Sequence, residues 1–260
     1  MRMSEDTQDT FISHLVELRD RLLRAVVVFI VLFVLAFFVW PKAAPIYDFL
    51  ALPLIKSLPL GTKMIATSVI SPFLVPLKVT AMFAFLVGLP FFLYQAWAFI
   101  APGLYSHEKR LAVPLVVSST LLFLAGISFC YYFVFGQFFA FINNFAPASI
   151  TPAPDIEAYL GFVLTMFIAF GVTFEVPVAV VLLVLTGVVD VAKLREWRGY
   201  FIVVAFVIAA VVTPPDVVSQ IALAVPMCLL YEVGLFFAQF VTRRRREEAP
   251  KPDAAPGAEP

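Results

Sequence analysis

Long apolar stretches separated by short polar breaks dominate this chain. Six of them, at about 24–40, 73–101, 111–142, 157–189, 199–212 and 217–241, are long enough, or nearly so, to cross a bilayer. A spanning helix needs about 20 mostly apolar residues, each rising about 1.5 Å against a hydrocarbon core of about 30 Å. Barrel strands would alternate apolar and polar positions, and the run from Ala25 to Trp40 does not alternate. Helices also satisfy their own backbone hydrogen bonds in lipid. The pattern therefore predicts an all-α, polytopic membrane protein with six transmembrane helices.

Run lengths add detail. The third and fourth would measure roughly 48 Å as straight helices, so they must tilt, bend or project beyond the lipid. The fifth would reach only roughly 21 Å. Thr213-Pro214-Pro215-Asp216 then turns the chain directly into the sixth. Such short neighbours predict a thinned bilayer or a wet cavity beside the fifth and sixth helices.

Composition agrees with this solvent. Hydrophobic residues make up 62% of the 260 and charged residues only 14%, with a mean hydropathy of +0.97. A soluble domain is about 25% charged and about half apolar. Cys130 and Cys228 both fall inside apolar runs, where a thiol behaves as a small hydrophobe, so neither disulfide, metal nor cofactor is expected. The net charge of zero matters less than its distribution. Of the 18 Lys and Arg, only Lys42, Lys56, Lys63 and Lys78 fall on one side of the predicted helices. The rest flank the other side, which places both termini in the cytoplasm by the positive-inside rule. The polar first 22 residues predict no cleavable signal peptide. Residues 1–243 read as one transmembrane domain and 244–260 as a disordered, charged, Pro-rich cytoplasmic tail. No internal repeat is visible.

Several polar residues call for a reason. Between Thr10 and Arg24, Phe11, Leu15, Leu18 and Leu22 form one stripe of an amphipathic helix, while His14, Glu17, Arg21 and Arg24 form another. Glu17 either pairs with Arg21 at i, i+4 or offers an acidic spot to a cationic ligand. Glu108 lies in the short loop Tyr105-Ser106-His107-Glu108-Lys109-Arg110, where Lys109 or Arg110 would neutralise it, and Phe99 sits at the helix end just before. Glu175 lies inside the fourth apolar run, where an ionisable group costs about 2.5–3.5 kcal/mol and faces a cavity or a partner. Pro177 would free a backbone carbonyl near Thr173. Glu232, in the sixth run, reads equally as a functional residue or as one snorkelling near the cytoplasmic end. Asp216 follows two prolines and suits an N-cap, and Gln220 shares its patch. No HExxH, Gly-x-Ser-x-Gly or P-loop occurs, and His14 and His107 are the two histidines, so enzyme chemistry finds no footing.

In order, the chain carries Ser13-His14-Leu15-x-Glu17-Leu18-Arg19-x-Arg21-Leu22, Pro53-Leu54-Ile55-Lys56, Tyr94-Gln95-x-Trp97-x-Phe99-Ile100-Ala101-Pro102-Gly103-Leu104 and His107-Glu108-Lys109-Arg110. Phe170-Gly171-x-x-Phe174-Glu175-x-Pro177 and Thr213-Pro214-Pro215-Asp216 come next. This ordered set resembles TatC, the multi-spanning subunit of the twin-arginine protein translocase, across residues 5 to 243. The resemblance implies a cupped helix bundle in the bacterial cytoplasmic membrane. It implies a receptor for twin-arginine signal peptides of folded export substrates, with Glu17, Arg19, Phe99 and Glu108 on the recognition surface. It further implies transport roles for Pro53, Glu175, Asp216 and Gln220, the partners TatA and TatB, self-association into a multi-copy complex, and the proton-motive force as energy source. No catalytic act is implied. The competing reading, an ion-coupled secondary transporter using Glu175, lacks the repeat such proteins show.

Overall fold

The structure, a computed structural model, describes residues 2–39, 43–58, 62–100, 109–145, 153–213 and 216–248. Helix α1 (Arg2–Val39) is uninterrupted, so the amphipathic segment and the first span are one rod. Nothing in it breaks a helix, because neither Gly nor Pro occurs between Arg2 and Val39. It leans on α3 (Ser71–Ile100), and none of its described side chains is buried.

Helix α2 (Ala43–Ser57) was not among the predicted elements. Fifteen residues with an internal Pro53 are too short and too broken to register as a span. It lies at the opposite end of the bundle from Glu17 and Phe99, burying Ala43, Leu50, Ala51 and Leu54. One isolated parallel bridge, Ile65 to Asp155, ties the chain before α3 to the residue that precedes the helix at Ile156–Phe174.

The two over-long runs are interrupted. The third divides into α4 (Lys109–Phe129), a π-helical turn at Cys130–Val134, and α5 (Phe135–Phe145). A π turn inserts one residue into the ladder and rotates the helix beyond it. The fourth divides into α6 (Ile156–Phe174) and α7 (Val176–Leu185), with the break at Glu175. There the Glu175 N–H turns onto the carbonyls of Val172 and Thr173, the latter being the group Pro177 leaves unpaired.

The chain ends with α8 (Val191–Glu196), α9 (Arg198–Val212) and α10 (Val217–Glu248). Helix α10 therefore continues past residue 244, where the sequence suggests a disordered tail; residues 249–260 lie outside those described. Among the described residues, five helical stretches are long and apolar enough to cross a membrane: Ile12–Phe38, Ser71–Ile100, Val113–Asn144, Ile156–Leu185 and Val217–Arg243. The fifth predicted span corresponds to α9, apolar but only 15 residues long.

The main core gathers where α2, the π turn, α5 and α6 meet, around Phe135, Leu160, Val163, Met166 and Phe170. Toward the other end Trp97, Val178 and Leu182 form a second cluster. Tyr231, Leu235 and Ala238 of α10 close a third with Val180 and Leu194.

Candidate functional site

At the Glu17 end of the bundle, the polar stripe of α1 faces α3 and the apolar stripe faces out. Leu15, Leu18 and Leu22 are all exposed, an arrangement suited to lipid rather than water. Arg21 Nε and Nη2 both donate to Glu17 Oε1, at 2.9 and 2.6 Å. Its third nitrogen, Nη1, reaches Gln95 Oε1 of α3 at 3.3 Å, and Gln95 is buried. The pairing of Glu17 with Arg21 at i, i+4 is thus made, with a cross-helix anchor that spacing alone does not reveal.

His14 completes the cluster. Its ring stacks on Phe99 with centroids 4.4 Å apart and planes 15° apart, and its Nδ1 lies 3.9 Å from Glu17 Oε2. Glu17 and Phe99 are therefore neighbours of one histidine. Arg19 is not part of this cluster: it points away, donating from Nε and Nη2 to Asp20 Oδ1 at 3.0 and 2.8 Å in solvent. Two residues along a helix turn the side chain by about 200°, which explains the separation. Glu108 lies outside the described residues.

Glu175 sits at the α6–α7 break, 7% exposed. Ser119 Oγ of α4 donates to its Oε2 at 2.6 Å, and Trp97 Nε1 of α3 donates to Ser119 Oγ at 2.7 Å. Three helices thus contribute to one hydrogen-bonded line, while Glu175 Oε1 is buried with no partner. The close approach of α4 and α6 depends on two glycines. A Cβ on Gly126 would lie 2.5 Å from the Phe170 carbonyl oxygen, and one on Gly171 would run into the Phe123 ring.

At the α2 end, Pro53 has no N–H for the Phe49 carbonyl, and Tyr131 Oη donates to that oxygen at 2.6 Å. Tyr159 Oη donates to Leu50 O at 2.6 Å, and Asn143 Nδ2 to Ser57 O at 2.6 Å. Asp155 caps α6, accepting from the Glu157 and Ala158 N–H groups, and takes both N–H and hydroxyl of Thr67. Backbone donation from Ala158 and Thr67, then the Thr67 hydroxyl, holds its carboxyl down at about 2. Lys78 Nζ and Ser71 Oγ share the Glu157 carboxylate, at 2.7 and 2.6 Å.

Asp216 makes the N-cap expected of it, accepting from the Ser219 N–H at 2.7 Å. Its Oδ2 and Ser219 Oγ are buried and unpaired. Gln220 Nε2 reaches across to Phe206 O of α9 at 3.4 Å. Glu232 is neither buried nor alone, because Arg198 Nη2 pairs with it at 2.5 Å. No group of three or more His, Cys, Asp or Glu suited to a metal occurs among the described residues.

Sequence reasoning missed Gln95, Ser119, Trp97 and Tyr131 as partners of these residues. The signal was faint: Gln95 is a lone amide in an apolar run, and Ser119 lies in a Ser118-Ser119-Thr120 triplet inside another.

Residues 13–226 match the family model described as Sec-independent protein translocase protein (TatC). A relative of that name from Escherichia coli is 51% identical over 247 residues, covering 94% of each chain. One from Halothiobacillus neapolitanus is 50% identical over 244 residues, which is 94% of this chain and 66% of the relative. A crystal structure titled as the twin-arginine translocase receptor TatC superimposes with a TM-score of 0.75 at 38% identity, over 88% of this chain and all of that one.

Proposed function

The chain belongs to the TatC family of Sec-independent protein translocase proteins, and we propose from that membership that it is the signal-peptide receptor of a twin-arginine translocase. Its substrates are folded precursors whose signal peptides carry an arginine pair. Glu17 and Glu108 receive the two guanidinium groups, Phe99 contributes an apolar contact, and Arg19 meets another part of the peptide from the outer side of α1. A guanidinium is always charged and bonds a carboxylate through a planar fork, which an ammonium cannot do. Two carboxylates can therefore tell Arg-Arg from Lys-Lys without an elaborate pocket.

The observation that carries this reading is the convergence on His14: Phe99 stacked against it and Glu17 3.9 Å away, from helices far apart in sequence. Ion coupling through Glu175 alone gives way to the family assignment. The receptor works in the inner membrane with both termini cytoplasmic and six spans, the short fifth being α9. It works with TatA and TatB as partners, in several copies, and draws on the proton-motive force. Glu175 serves as a polar contact for an inserted apolar signal segment. Pro53 keeps α2 in shape, and Asp216 with Gln220 offers hydrogen bonds to a partner helix. A Glu175→Ala variant with full signal insertion and transport would count against the role given to that residue.

Photocrosslinkers placed at positions 17 and 108 test the receptor reading directly. Labelling of an Arg-Arg peptide at both sites, lost with the matched Lys-Lys peptide, is the expected result. Equal labelling by both peptides, or none, would return these glutamates to ordinary surface charges.

A further inference from the structure

The carboxylate of Glu17 already holds a guanidinium. Arg21 places two nitrogens on Oε1, at 2.9 and 2.6 Å, and its third on Gln95 Oε1. Its side chain is only 21% exposed, against 36% for Glu17. The second oxygen, Oε2, has His14 Nδ1 at 3.9 Å, beyond hydrogen-bond reach.

We propose that Arg21 is a resident ligand of Glu17 that sets the specificity of the site, because any cation that takes both carboxylate oxygens must compete with it. This rests on the receptor reading above and adds a residue to it. The Glu17–Arg21 pair is neutral as a unit, so an approaching cation gains little from charge alone. To bond both carboxylate oxygens it must displace the two Arg21 donors from Oε1. An arginine replaces guanidinium bonds with guanidinium bonds, and that exchange is nearly even. A lysine ammonium is a strongly hydrated point charge without the planar fork, and it cannot make good what the exchange breaks. Specificity is a difference of affinities, and here the resident arginine lowers the weaker competitor further. The displaced guanidinium is not stranded, since Gln95 Oε1 on α3 is already within its reach.

The test measures equilibrium binding of fluorescent Arg-Arg and Lys-Lys signal peptides to the full-length receptor in nanodiscs. Each variant is read as the ratio of its two affinities, so a reduced folded fraction cancels. Arg21→Gln is expected to tighten Lys-Lys binding by about tenfold, the step that one hydrogen-bonded charge contact sets, and to tighten Arg-Arg less, narrowing the ratio. Arg21→Lys should narrow it part of the way. A ratio that stays at the wild-type value or widens in both variants, or loss of all binding in both, overturns the proposal and leaves Arg21 a mere strut for Glu17. Glu17→Gln separates the two levels. Arg-Arg binding that survives it would remove the receptor reading at this carboxylate, and the resident-ligand proposal with it.

Discussion

The phenol of Tyr131 donates to the carbonyl of Phe49 across 2.6 Å, supplying the hydrogen that Pro53 cannot. A proline four residues on removes that carbonyl's helical donor, and the π turn at Cys130–Val134 carries the tyrosine that replaces it. Pro53 thus acts on its surroundings through a tyrosine from the π turn of another helical stretch.

Tyr131→Phe should therefore destabilise the protein by about 1 kcal/mol, the net worth of a part-buried hydrogen bond. In a Pro53→Ala background, where position 53 regains its helical N–H, the same substitution should cost markedly less. Unfolding of the purified protein in mild detergent, measured for the four members of the cycle, gives the coupling. Equal costs in both backgrounds would dissociate the tyrosine from the proline.

Ser119→Ala should be felt at both ends of the line from Trp97 to Glu175, because one hydroxyl serves both. Stranding these buried polar groups should cost about 1–3 kcal/mol. Ser118→Ala is the control, since that hydroxyl is exposed and folds back on Leu115 O. The two variants should separate clearly in a thermal melt.

Gly126→Ala and Gly171→Ala should differ in severity. At Gly126 the added methyl meets a backbone oxygen at 2.5 Å, and α4 must move away from α6. At Gly171 it meets the Phe123 ring, which can turn aside. Overpacking costs about 1–3 kcal/mol, with Gly126→Ala at the upper end. Trp97 fluorescence should report the parted helices in Gly126→Ala more strongly than in Gly171→Ala.

Asp155 gives the junction between Thr67 and the start of α6 an acid-sensitive latch. Its folded-state value of about 2 lies below the about 3.9 of an unfolded aspartate. The stabilisation is therefore complete above about pH 4 and is lost as pH falls from there toward about 2. Asp155→Asn should flatten the melting temperature across that window while lowering it at neutral pH. An unchanged acid profile in Asp155→Asn would assign the sensitivity elsewhere.

Much of this molecule was legible along the chain. Apolar runs of about 20 residues leave a chain in lipid no option but helix, so the long spans could be read from composition and length. The i, i+4 pair of Glu17 and Arg21 and the N-cap at Asp216 are local, and local spacing predicts them. A charge at position 175 within an apolar run was visible as something requiring a partner.

Whatever joins residues distant in sequence stayed hidden. Helix α2 is held by Tyr131, Asn143 and Tyr159 from elsewhere in the chain, and its own 15 residues announce nothing. The identity of Glu175's partner, Ser119, depends on how closely α4 and α6 cross at Gly126 and Gly171. Arg21 becomes a cross-helix ligand only because α3 lays Gln95 beside it. Solvent and periodicity act on each segment alone, so the helices, their apolar surfaces and the charges that needed explaining follow from the order of residues. Pairings between helices depend on register and crossing distance, and these exist only in the packed bundle.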